Sequence, residues 1–65
     1  MSDGLTPKQR EVARLAASGL TNEDIARELA ITVGTVKLHL TQVYKRLRIP
    51  TRIRLVLRAQ NLARS

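Results

Sequence analysis

Cysteine is absent from this 65-residue chain, and histidine occurs once, at His39. The first absence excludes disulfides and thiolate metal sites, and the second a multi-histidine centre. Phe and Trp are missing as well, leaving Tyr44 as the sole aromatic. Single-stranded nucleic acids are held on aromatic stacking platforms, so that ligand class is disfavoured. No apolar run approaches the ~20 residues of a membrane span, and the N-terminus carries no apolar signal segment. A cytoplasmic location without a membrane partner is therefore expected. No two strand-like runs flank a turn dipeptide, which argues against a β-hairpin or wing. The carboxylates are few and none stands with a base, a nucleophile or a metal ligand, so no catalytic residue, cofactor or metal is expected, and no enzyme.

Acid is missing altogether after Glu28. Residues 1–31 carry a net charge of −1, with Lys8, Arg10, Arg14 and Arg27 against five acids. Residues 32–65 carry +8, from Lys37, Lys45, Arg46, Arg48, Arg52, Arg54, Arg58 and Arg64. Such a division within a chain of net charge +7 points to a polyanionic partner for the second half. At this length the chain makes one domain, which buries about 60% of its unfolded surface.

What the sequence does contain is a repeated helix grammar. Thr6-Pro7 opens a first helix over about residues 7–18, with Gln9 as capping-box partner, and Gly19 ends it in a left-handed conformation. Thr21 caps a second helix, about 22–30, with Asp24 three residues on and Leu20 stapled to Ile25. Its core residues are Ile25, Ala26 and Leu29. Thr32 then caps a third helix, about 33–48, with Ile31 and Val36 as the staple pair. Two start signals this close give the spacing of a helix-turn-helix, whose second helix enters the major groove of DNA. At about 100° per residue, Val36, Leu40, Val43 and Leu47 share one core-facing arc. Opposite lie Gly34, Lys37, Leu38, Thr41, Lys45 and Arg48, all positive or neutral. An apolar Leu38 beside Lys37 suits base edges, where a thymine methyl is a partner. His39 flanks the core arc and reads as a hydrogen-bonded structural residue. Ile49-Pro50 stops the helix, and Thr51 caps a fourth over about 52–63. Leu55, Val56, Ala59 and Ala63 face the core there, while Ile53 and Leu57 fall on the other side among Arg54, Arg58 and Asn61. The fold class is all-α, a four-helix bundle containing a helix-turn-helix with no wing, as a single domain over residues 1–65.

The residues Leu5, Thr6, Glu11, Val12, Leu15, Gly19, Asn22, Ile25-Ala26, Leu29, Ile31, Thr35-Val36-Lys37, His39-Leu40, Tyr44, Leu47, Arg52 and Val56 resemble the LuxR-type (GerE-type) DNA-binding domain of bacterial transcription regulators. The run TVKxHL at its distance from NxxIAxxL is the specific part. The resemblance implies four helices, the third reading the major groove and the fourth often dimerising. It implies base contacts from Lys37, Leu38 and Thr41, and phosphate contacts from Asn22, Thr32, Thr35, Lys45 and Arg46. We add Gly34 to the base-facing set, because it allows close approach of DNA, and Arg48 and Arg52 to the phosphate set. Ile53 and Leu57 are the candidate dimer contact, giving a weak homodimer that forms on double-stranded DNA. A bacterial regulator of this type would also meet RNA polymerase and sit on the nucleoid, usually as the effector domain behind a sensory or receiver domain.

Two departures stand out. Polar or charged family residues give way here to Val33-Gly34, and a common glycine after the last leucine of helix three is Arg48, so Pro50 is expected to supply the stop. The nearest rival is region four of primary-type sigma factors, which shares the TVGTVK-like start and basic KRLR end; His39, Asn22 and the capped helix after Pro50 favour the LuxR type. A helix-turn-helix kept only for protein contacts is a second rival, opposed by the all-positive second half.

Overall fold

The computed structural model describes residues 4–50 and 52–57. Helix α1 runs Pro7–Ala17, α2 Asn22–Leu29 and α3 Val33–Leu47, and a fourth, α4, occupies residues 52–57. No strand occurs among the described residues. The remaining stretch assigned to helix four, with Arg58, Ala59, Asn61 and Ala63, lies outside the described residues, as does the Thr51 cap.

The starts of α1, α2 and α3 are each made by a threonine. Thr6 Oγ1 accepts from Gln9 N at 3.1 Å while Gln9 Oε1 accepts from Thr6 N at 3.0 Å. Thr21 and Asp24 repeat the exchange at 3.1 and 3.3 Å. Thr32 Oγ1 accepts from Thr35 N at 3.1 Å. These bonds satisfy amides that have no partner inside the helix. The ends are just as regular. Gly19, Ala30 and Arg48 all take left-handed backbone, with φ of 99°, 57° and 56°. The amide of the next residue reaches back to the fifth carbonyl behind it: Leu20 to Leu15, Ile31 to Ala26 and Ile49 to Tyr44, at 3.3, 2.9 and 3.0 Å. This is the Schellman pattern. It corrects the expected stop of helix three. Arg48 is not the last helical residue, and the turn is made by its own left-handed backbone before Pro50 is reached. Helices one and two likewise end a residue earlier than expected, at Ala17 and Leu29.

The core is built by Val12, Ala13, Leu15 and Ala16 from α1, Ile25 and Ala26 from α2, Val36, Leu40 and Val43 from α3, and Leu55 from α4. Ile25, Val12, Val36 and Val43 are fully enclosed, and each such side chain contributes about 1.5–3 kcal/mol by leaving water. Leu20, Ile31 and Ile49, the residues just past each left-handed turn, pack against this core with Leu29 and Leu47. Helix α3 packs against both α1 and α2, so its opposite face is held outward.

Candidate nucleic-acid interface

The wheel of α3 is fixed by its three buried residues, Val36, Leu40 and Val43. Gly34, Lys37, Leu38, Thr41, Lys45 and Arg48 are all exposed, and Leu38 keeps 57% of its surface in water. Thr41 Oγ1 donates to Lys37 O at 3.0 Å, which commits its proton to the helix and leaves lone pairs and a methyl facing outward. At the start of α3, Thr32 Oγ1 and Thr35 Oγ1 lie 2.9 Å apart, two hydroxyls at the positive end of the helix dipole. A methyl added at Gly34 would meet nothing closer than Thr32 Oγ1 at 3.9 Å. The fold therefore does not require glycine there.

The charges divide as the sequence does. Two acids of α1 and α2 are engaged locally, Glu11 with Arg14 and Asp24 with Arg27, the latter at 3.8 Å. No ion pair ties Lys37, Lys45, Arg46 or Arg48 to an acid among the described residues. Arg46 stands apart from the arc of Lys37, Thr41 and Lys45. It lies over Gly4, where an added methyl would come within 3.3 Å of its Nη1, and so flanks the α1 side of the molecule.

Asn22 and Arg52 are brought together. Arg52, the first residue of α4, donates Nη1 to Asn22 Oδ1 at 2.6 Å and Nη2 to Leu20 O at 2.5 Å. Both residues are half-buried. Sequence reasoning named both and missed the bond, since nothing local signals a partner thirty positions away. It missed Gln42 too. Gln9, beyond its capping duty, donates Nε2 to Gln42 Oε1 at 2.5 Å and fastens α1 to α3. A glutamate at position 9 would cap as well but could not donate this bond.

His39 differs from expectation. Its Nδ1 is buried and has no hydrogen-bond partner among the described residues. Ile53 and Leu57 are exposed at 71% and 46%, both on the side of α4 away from buried Leu55. No group of acids and histidines that could hold a metal occurs among the described residues, and no helix there is long and apolar enough to cross a membrane.

Residues 3–59 match the family model of bacterial regulatory proteins, luxR family. An HTH-type transcriptional regulator of Mycobacterium tuberculosis is 50% identical over 52 residues, covering 80% of this chain and 6% of that protein. The two-component response regulator PprB of Pseudomonas aeruginosa is 49% identical over 53 residues, 82% of this chain and 19% of that one. The nitrate/nitrite response regulator NarL of Escherichia coli K12 is 43% identical over 49 residues, 75% and 23%. The chain thus spans less than a quarter of the length of these relatives.

Proposed function

The chain belongs to the luxR family of bacterial regulatory proteins, whose relatives are transcription regulators, and from that premise we propose that it binds double-stranded DNA sequence-specifically with α3 in the major groove. Lys37, Leu38 and Thr41 face base edges, with Gly34 permitting close approach. Asn22, Thr32, Thr35, Lys45, Arg46 and Arg48 serve the phosphates, and Arg52 stands beside Asn22 at the edge of this set. Ile53 and Leu57 form the pairing contact of two copies on DNA. The domain works in the cytoplasm at the nucleoid, in reach of RNA polymerase.

The observation that carries the reading is the outward face of α3. It is held away from the core and lined by cations and neutral groups without an acid. An ordinary solvated helix mixes both signs there. Phosphate contact should make affinity fall with salt. If roughly 4–6 phosphates are neutralised per domain, log K should decline against log salt with a slope of about −4 to −5. A titration of duplex DNA at several salt concentrations reads this directly, and a flat line would remove the reading.

A further inference from the structure

Arg52 belongs to the phosphate-facing set by charge, yet its guanidinium is occupied. It donates through Nη1 to Asn22 Oδ1 and through Nη2 to Leu20 O. The two acceptors flank the Thr21 cap, so one planar fork spans the start of α2 and fastens the start of α4 to it. Arginine offers only donors. The face of the Asn22 amide turned to it must therefore be the oxygen, and the NH2 must face the other way. Among the described residues nothing accepts from Asn22 Nδ2.

Asn22 is the first residue of α2, the first helix of the helix-turn-helix, and in such motifs that helix crosses the DNA backbone. Its amide thus presents two donors where a phosphate oxygen would lie. We propose that Arg52 is a positioning residue for DNA binding: it holds the Asn22 amide with its NH2 outward as a phosphate donor, and does not itself touch the DNA. This rests on the reading of the chain as a DNA-binding domain.

The two roles of an arginine separate in a salt titration. A phosphate-touching Arg52 would take about 0.9 from the slope of log K against log salt when changed to Ala. A positioning Arg52 leaves the slope as it is. Affinity should fall roughly tenfold in Asn22→Ala, the size expected for a lost bond to a charged group, and by a similar factor in Arg52→Ala. The double variant should be no weaker than either single one. Arg52→Lys keeps the charge but cannot bridge Asn22 and Leu20 with one planar fork, so it should bind like Arg52→Ala. Should Arg52→Ala fail to fold, Arg52→Lys and the Asn22 side-chain amide resonances carry the test: in the native chain those NH2 signals should shift on adding duplex DNA. Additive losses, a slope reduced by about one, or native affinity in Arg52→Lys would each overturn the positioning role. Salt-independent binding by the native chain would instead overturn the DNA-binding reading beneath it.

Discussion

Gly34 is the residue whose presence the fold does not explain. It sits in the first turn of α3, exposed, without positive φ and with open space where a side chain would go. Glycine at a helical position costs about 0.5–1 kcal/mol relative to alanine. Gly34→Ala should therefore stabilise the domain by about 0.5 kcal/mol in denaturant unfolding, and lower affinity for the preferred DNA site if close approach is its use. A variant both more stable and equally tight would remove Gly34 from the interface. Lys37 and Arg46 divide the labour of the same helix differently. Lys37 lies on the outer arc beside exposed Leu38, whereas Arg46 is turned toward Gly4. Lys37→Ala should cost about 1–3 kcal/mol on the preferred site and relax specificity there. Arg46→Ala should weaken all sequences by about the same factor. The comparison of preferred against random duplex decides between a reader and a holder. The outer position of Lys37, Leu38 and Thr41 was legible because helical periodicity converts apolar spacing into direction. Arg52 on Asn22, and Gln9 on Gln42, were not, since a bond between residues 30 or 33 apart leaves no trace in local spacing. The unpartnered Nδ1 of His39 was equally invisible, as its position beside the core arc gives burial and not bonding.

At the scale of the element, one device joins the first three helices. A left-handed residue is followed by an apolar one, and then a threonine cap: Gly19-Leu20-Thr21 and Ala30-Ile31-Thr32. Arg48-Ile49 begins the same way before Pro50 intervenes. The apolar residue closes the turn behind it and packs on the core beside the helix ahead. That double use keeps the α2–α3 connection short and fixes how α3 leaves it. The starts were readable because threonine and its partner three residues on are a chemical signal. The stops were readable only where glycine marks them. Ala30 and Arg48 adopt left-handed backbone that costs an L-residue about 1–2 kcal/mol, and the enclosing contacts of Ile31 and Ile49 with the core offset it. Ala30→Gly should accordingly stabilise the domain by about 0.5–1 kcal/mol, raising Tm by about 4 °C, and leave DNA binding alone. Arg48→Gly should gain similar stability while losing affinity, having removed a cation as well as strain. An Ala30→Gly variant that melts lower than the native chain would show that the turn is not strained.

Among the described residues the charges fall on two sides, one carrying the acids of α1 and α2, the other a basic face along α3 and into α4. A domain this small contacts few base pairs, so discrimination gains from a second copy. The surface left for that contact is on α4, where Ile53 and Leu57 are exposed while Leu55 takes the core position. Two apolar side chains one turn apart make a patch well short of an obligate interface. Arg54 stands between them in the chain and is exposed, so two copies bring like charges together and resist pairing in free solution. On DNA the balance changes. Neighbouring half-sites raise the effective concentration, and phosphates offset the arginine repulsion. A two-fold pair would set its recognition helices about one DNA turn apart, so the preferred operator should be an inverted repeat. Leu57→Arg tests the contact, measured on a full inverted repeat and on a single half-site. Cooperativity on the full repeat should disappear while half-site affinity is kept or slightly raised by the added cation. If cooperativity on the full repeat survives the substitution, the two copies do not meet through α4.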